Sequence, residues 1–133
     1  MVDARRVVVV APDAAVGGRL VAWLAAEGHE ARLCTSFTEA RPQLDARPPD
    51  LLVTELKLGA YNGLHLAIRA KHRRPATSVI VIGERDHVLE REARQYDAEY
   101  FAGPLQKGAF TATVRAVLQT DGRNGPQHHH AVA

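Results

Sequence analysis

The chain has 133 residues, of which 46% are hydrophobic, and its 17 basic and 15 acidic side chains give a formal net charge of +2. This length fits one domain with its own core, and this hydrophobic content excludes wholesale disorder. The nearly balanced charge gives no sign of a nucleic-acid-binding surface, because the densest basic cluster, residues 69–74, is typical of a solvated helix end.

The single cysteine and the absence of long apolar runs bear on the compartment. Cys34 excludes an intramolecular disulfide and favours a reducing environment. No apolar run approaches the roughly 18 residues that a membrane span needs, and the N-terminus lacks the features of a signal peptide. We therefore expect a cytoplasmic protein without a membrane-embedded part.

The first half of the chain alternates between strand and helix patterns. Val7–Val10 is a continuous β-branched run, and residues 30–34 are a weaker strand candidate. A helix is predicted between them from apolar residues at 16, 20, 23 and 24, ending near Gly28. A second helix is predicted over 36–46 by the capping-box pair Ser36 and Glu39, with a late start or a kink expected at Pro42.

The second half continues the alternation. The runs 51–53 and 79–82 predict two more buried strands, and 99–102 is a weaker candidate. Helices are predicted after the Asn62-Gly63 turn, over 87–96, and around Phe110 and Leu118. Continuous apolar runs indicate strands buried on both faces, so the pattern predicts a three-layer α/β sandwich with a parallel sheet. The domain should cover residues 1–119, and 120–133 should be a disordered tail.

Residues with functional potential follow the predicted strands, because ligands in such folds gather at the carboxyl ends of the strands. The first strand is followed by Ala11, Pro12 and Asp13, and the third ends at Glu55. The fourth is followed by Gly83-Glu84 and the fifth by Gly103-Pro104. Asp13 is interpreted as the N-cap of the first helix, with a weak Mg²⁺ site shared with Glu55 as the alternative.

Four stretches resemble the receiver domain of bacterial two-component response regulators, over about residues 5 to 119. They are RRVVVVAPDAAVGGRLVAWLAAEGHEA, PPDLLVTELKLGAYNGLHLAIRAK, TSVIVIGERD and AEYFAGPLQKGAFTATVRAVL. The runs PDLLVTELKLGAYNG and EYFAGP are the most specific. The resemblance implies a flavodoxin-like (βα)5 fold with the strand order 2-1-3-4-5.

A typical receiver accepts a phosphoryl group on an aspartate at the end of its third strand. An acidic pair after the first strand holds Mg²⁺, and a Thr or Ser and a Lys after the fourth and fifth strands bind the phosphoryl oxygens. Phosphoryl transfer requires such groups because it depends on positioning and on neutralising charge. The corresponding residues here are Ala11 and Pro12 beside Asp13, then Glu55, Gly83 and Gly103.

The residues that match the structural positions of the family are retained, although those at the phosphoryl-transfer positions are replaced. Tyr100 matches the aromatic residue that couples the site to the outer face, Pro104 stands where receivers commonly have a cis proline, and Asn62-Gly63 matches an Asp-Gly turn. Because Gly83 has no side chain, we expect Tyr100 to hold one inward orientation. Glu55 is interpreted as a remnant of the acceptor, and mimicry of a phosphorylated aspartate lacks the partners it needs.

We therefore predict a receiver-like signalling module that is not an enzyme, takes no cofactor and binds a partner protein or a second copy of the chain. The predicted face is built from the fourth helix, fifth strand and fifth helix. Its residues are Arg91, Arg94, Tyr100, Lys107 and Arg115.

The alternative is a sensor that binds a small molecule in the former phosphate pocket. A third hypothesis is an active receiver that uses Glu55. Direct nucleic-acid binding is not expected, and the dispersed histidines, His29 among them, are interpreted as surface residues.

Overall fold

A computed structural model describes the main chain of residues 4–131 and the side chains of residues 4–119. The strands are β1 (Arg6–Val10), β2 (Glu30–Cys34), β3 (Leu51–Glu55), β4 (Lys57–Leu58), β5 (Tyr61–Asn62), β6 (Ser78–Gly83) and β7 (Glu99–Ala102). The helices are α1 (Ala14–Ala26), α2 (Phe37–Ala46), α3 (Gly63–Arg73), α4 (His87–Gln95) and α5 (Lys107–Ala131). The predicted tail, 120–133, lies outside the residues with described side chains, and its disorder stays a prediction.

Five parallel strands form the central sheet in the order β2-β1-β3-β6-β7. Counted among these five strands alone, the order is 2-1-3-4-5, which confirms the predicted topology. The register aligns β1 with β3 from Val7 opposite Leu51 to Val10 opposite Thr54, and β3 with β6 up to Glu55 opposite Ile82. The carboxyl ends of these strands therefore lie along one edge of the sheet.

Two separate apolar layers cover the faces of the sheet. On one face, Leu20 and Leu24 of α1 and Phe110 and Val114 of α5 pack on alternate strand residues. On the other face, α2, α3 and α4 pack on the intervening ones. The four valines of β1 have no exposed surface, because alternate residues of a strand point to opposite faces and both faces are covered.

A short hairpin between β3 and α3 was not predicted from the sequence. Strands β4 and β5 pair antiparallel, with Lys57 opposite Asn62 and Leu58 opposite Tyr61. Two-residue strands carry no detectable hydrophobic period, so the pattern contained no signal for them. The predicted turn at Asn62 is instead the start of α3, where the Asn62 side chain accepts a hydrogen bond from the Leu64 amide at 2.6 Å.

Two local expectations need correction. Helix α2 begins directly after Ser36, which accepts a hydrogen bond from the Glu39 amide at 3.0 Å, so the late start is wrong and a kink at Pro42 stays a prediction. His29 is buried, with 6% of its surface exposed, and its Nδ1 accepts a hydrogen bond from the Arg5 amide at 3.1 Å. Burial lowers the pKa of His29, which suits an imidazole nitrogen that must stay unprotonated to accept this bond.

The peptide bonds of the described residues are all trans, so the cis proline that the resemblance implied at Pro104 is not found. The chain turns instead at Gly103, whose φ is +96°. Residues other than glycine rarely adopt such a φ. No helix within residues 4–131 combines the length and apolar character needed to cross a bilayer.

Candidate functional site: the carboxyl edge of the sheet

Four neighbouring strands bring the predicted site residues to one edge of the sheet. Ala11 follows β1, Glu55 ends β3, Gly83 ends β6 and Gly103 follows β7. Ala11 is fully buried, and its amide donates a hydrogen bond to the Cys34 carbonyl at 3.0 Å. The structure thus brings these residues to the same edge, as the sequence predicted. Ala11, Gly83 and Gly103 have no functional group in their side chains.

Glu55 is half-buried and carries an oxygen without a partner. Its Oε2 is buried and makes no hydrogen bond to any residue that the structure describes. Burial raises the pKa of Glu55, and the neighbouring charge of Asp13 raises it further. A carboxyl group in this setting binds its proton more tightly than one in water. Nothing here holds its charge in a defined position.

Asp13 caps helix α1, as predicted. Its Oδ1 accepts hydrogen bonds from the amides of Ala15 at 2.8 Å and Val16 at 3.4 Å. An N-cap of this kind stabilises a helix by about 1 kcal/mol. Because Oδ1 serves the helix and neither Ala11 nor Pro12 has a side-chain oxygen, the donor set at this edge does not match the octahedral oxygen shell of Mg²⁺. The absence of a metal cofactor remains a prediction.

Tyr100 packs against the core and covers Gly83, and its restriction to one orientation stays a prediction. A Cβ built on Gly83 would collide with the Tyr100 hydroxyl oxygen and would lie 3.1 Å from Cζ of the same ring and 3.3 Å from Leu56 Cβ. The hydroxyl donates a hydrogen bond of 2.6 Å to the Glu84 carbonyl. The phenol therefore occupies the space where the first side-chain atom of a threonine or serine at position 83 would stand.

The space beside Gly103 is different. A Cβ at that residue would meet no atom within 4 Å, and Pro104 after it is exposed. Glycine is required at 103 by its φ of +96° and not by crowding. A lysine at this position would have room for its side chain but a strained backbone.

The predicted interaction face has four charged residues, and one of them is held in an ion pair. Arg91 and Arg94 on α4 and Lys107 at the start of α5 are exposed. Arg115 forms a two-pronged ion pair with Glu27, the residue directly after α1, with N–O distances of 2.9 and 3.0 Å. The Arg115 side chain remains 60% exposed in this pair, and its place on the interaction face stays a prediction.

Helix α4 adds two apolar side chains that the sequence analysis missed. Val88 is 65% exposed and Tyr96 is 38% exposed, at opposite ends of the helix. The available signal was their place in a strongly amphipathic segment, where Ala93 is the buried residue. Exposed apolar groups beside Arg91 and Arg94 are typical of a protein-binding surface.

The basic cluster at 69–74 is held in internal ion pairs. Arg69 bonds both oxygens of Asp45, Arg74 lies 3.4 Å from Asp50, and Lys71 lies 3.3 Å from Asp97. Its positive charge is thus partly neutralised within the domain. This arrangement supports the interpretation of the cluster as a helix end and not as a nucleic-acid patch.

No protein-family model and no curated protein matches the chain. Several solved structures match it. A CheY-like response regulator receiver domain protein from Methanospirillum hungatei JF-1 superposes with a TM-score of 0.83 at 20% identity, covering 92% of this chain and 100% of that one. A two-component response regulator from Clostridium difficile gives 0.78 at 18% identity, covering 86% and 95%. NtrX from Brucella abortus gives 0.81 at 21% identity over 90% of this chain, which spans only 28% of NtrX.

Proposed function

We propose that this chain, which has the receiver-domain fold, is a signalling module of a two-component or phosphorelay pathway that works without accepting a phosphoryl group. It acts by binding a protein partner in the cytoplasm, and a second copy of the chain is one candidate partner. The observation that carries this proposal is the position of Tyr100. Its phenol fills the space beside Gly83 that a phosphoryl-binding hydroxyl would need.

The electrostatics of the carboxyl edge support the same function. A transferred phosphoryl group needs cations and donors that neutralise its oxygens. Ala11, Pro12, Gly83 and Gly103 supply neither, and Asp13 is bonded to the start of α1. Burial and the neighbouring charge of Asp13 raise the pKa of Glu55, so this edge disfavours the further negative charge that a phosphoryl group would bring.

The proposed partner surface consists of α4, β7 and the start of α5. It presents Arg91, Arg94 and Lys107 as exposed cations and Val88 and Tyr96 as exposed apolar groups. This composition suits a partner with an apolar patch bordered by acidic residues. Tyr100 of β7 joins this surface to the loop after β6 through its hydrogen bond to the Glu84 carbonyl.

The alternative function, binding of a small molecule in the former phosphate pocket, has one observation in its favour. The space beside Gly103 is open. Against it, the Tyr100 ring fills the neighbouring space above Gly83 and leaves less room than the two glycines alone suggested. A ligand-dependent rise in melting temperature, lost when Gly103 is changed and retained when Arg91 is changed, would favour this alternative over partner binding.

We expect no phosphorylation of the chain by acetyl phosphate in the presence of Mg²⁺. The Glu55→Asp variant should also remain unmodified, because restoring the acceptor leaves the metal ligands, the hydroxyl and the lysine missing. Intact-mass spectrometry measures the adduct directly, and beryllofluoride titration followed by NMR measures binding of the phosphoryl analogue. A stoichiometric adduct on Glu55, or saturable beryllofluoride binding to the unmodified chain, contradicts the proposal.

Glu55→Gln should stabilise the protein at neutral pH. The folded state raises the pKa of Glu55, so ionised Glu55 disfavours folding, and its contribution to stability is largest below the unfolded pKa of about 4.3 and is lost as pH rises through the folded pKa. The advantage of the variant should therefore shrink on acidification, as urea unfolding from pH 7 down to pH 4 would show.

The same variant tests whether Glu55 still signals. The Tyr100 ring shifts should match those of the wild type, because the Tyr100 hydroxyl bonds Glu84 and Gly83 has no side chain that could relay a change from Glu55. Glu30→Gln, an exposed change on β2, is the matched control and should alter stability by less than about 0.5 kcal/mol. Movement of the Tyr100 ring in Glu55→Gln alone would show that the two sites are coupled.

A further inference from the structure

A groove lies along α2, and none of the site residues described above lines it. Its floor is formed by one face of the helix, and the β4–β5 hairpin forms one wall. The groove has a volume of about 390 Å³ and is lined by Phe37, Thr38, Arg41, Pro42, Asp45 and Tyr61. This volume is at the lower end of the range for small-molecule sites, which is enough for a ligand of one or two rings.

An aromatic pair forms the hairpin side of the groove. The rings of Phe37 and Tyr61 stack with centroids 4.3 Å apart and an angle of 11° between their planes. Phe37 packs against the core beneath α2, and Tyr61 remains 49% exposed. The core thus holds one ring of the stack in place, while the other presents open surface to solvent. A fixed, exposed aromatic surface suits stacking by a planar ring.

The charged side chains of the groove leave it positive. Both oxygens of Asp45 are bonded by Arg69, with distances of 2.8 and 2.7 Å, and Arg73 Nε lies 3.9 Å from the same carboxylate. Arg41 lies one turn of α2 away from Asp45 and is exposed. Among residues 4–119, no carboxylate lies within 4.0 Å of the Arg41 guanidinium. Three arginines therefore surround one carboxylate that is already paired.

We infer that this groove binds a small planar anion, namely an aromatic ring that carries a carboxylate or a phosphate. The ring stacks on Tyr61, and the anionic group pairs with Arg41. Arginine suits this role because its planar fork matches the oxygens of either anion. The inference does not depend on the proposed signalling function, since the groove shares no residue with the carboxyl edge of the sheet.

The test is an NMR titration of the full chain with adenosine monophosphate and with 2-naphthoate, which separate the phosphate from the carboxylate. At least one of them should shift the amides of Thr38, Arg41 and Tyr61 with a dissociation constant of about 1 mM or tighter. Adenosine, which has the ring without the charge, should bind at least tenfold more weakly. Inorganic phosphate, which has the charge without the ring, should do the same.

Two variants separate the stacking from the charge. Arg41→Gln should weaken binding of the anionic probe at least fivefold without affecting the fold, because the residue is exposed. Tyr61→Leu should weaken it similarly. Arg91→Gln, which removes an equally exposed arginine from α4, is the control and should bind as the wild type does. Absence of saturable shifts with both anionic probes would overturn the inference. So would equal binding by adenosine, or equal weakening by Arg41→Gln and Arg91→Gln.

Discussion

Gly83→Thr should displace the Tyr100 ring and destabilise the protein by about 2 kcal/mol. The added Cβ would collide with the Tyr100 hydroxyl and press on Leu56 Cβ at 3.3 Å. Overpacking of this kind costs about 1 to 3 kcal/mol, and rotation of the ring away would break its hydrogen bond to Glu84. Urea unfolding followed by the fluorescence of Trp23, the single tryptophan, measures the loss. Tyr100 ring shifts report the movement.

A double-mutant cycle identifies the clash as the cause. In a Tyr100→Ala background, the space above Gly83 is vacant, so Gly83→Thr should cost much less than it does in the wild type. Gly108→Ala, where a Cβ would meet no atom within 4 Å, is the matched control and should not destabilise. Equal costs of Gly83→Thr in both backgrounds would show that Tyr100 is not what excludes a side chain from this position.

Gly63→Ala should cost about 3 kcal/mol, near the upper end of the range for overpacking. A Cβ at Gly63 would overlap the carbonyl oxygen of Glu55 and would lie 3.1 Å from Thr54 Oγ1. The Gly63 amide also donates a hydrogen bond of 2.7 Å to the Leu56 carbonyl, which holds the start of α3 against the end of β3. A backbone oxygen cannot rotate out of the way as a side chain can, so strand and helix must separate.

Gly18→Ala is the control for this experiment. Gly18 lies inside α1, and a Cβ there would meet no atom within 4 Å. The substitution should therefore stabilise the protein by about 0.5 to 1 kcal/mol, since alanine loses less backbone entropy in a helix than glycine does. Denaturant midpoints of the two variants should move in opposite directions. A neutral Gly63→Ala would mean that α3 does not need this close approach to β3.

The fold was predictable because its strongest elements carry their own signals. Val7–Val10 and the run 79–82 are buried on both faces, and this burial is what makes them continuous apolar segments. Asp13 and Ser36 precede their helices as caps with the expected hydrogen bonds. The β4–β5 hairpin was not predicted because each of its strands has only two residues. Strands this short show no alternation of apolar and polar residues in the sequence.

The site was predictable in its location and less so in its contacts. That Glu55 would end β3 followed from the strand pattern, but its unpaired Oε2 depends on loops whose paths the sequence does not encode locally. The ion pair of Arg115 was not predicted because its partner, Glu27, is far away along the chain. His29 gave no sign of burial, since its environment comes from Arg5 at the start of a neighbouring strand.

The backbone at Gly103 imposes an order on any substitutions that would give this edge the lysine and the hydroxyl of a typical receiver. A lysine introduced there must adopt a φ near +96°, which costs a side-chain-bearing residue about 1 to 3 kcal/mol. A threonine at 83 is opposed as well, for as long as Tyr100 keeps its place. Single substitutions at either position therefore lower stability before they supply any function. The loop after β7 and the Tyr100 ring would have to rearrange first. Stability therefore favours keeping glycine at both positions.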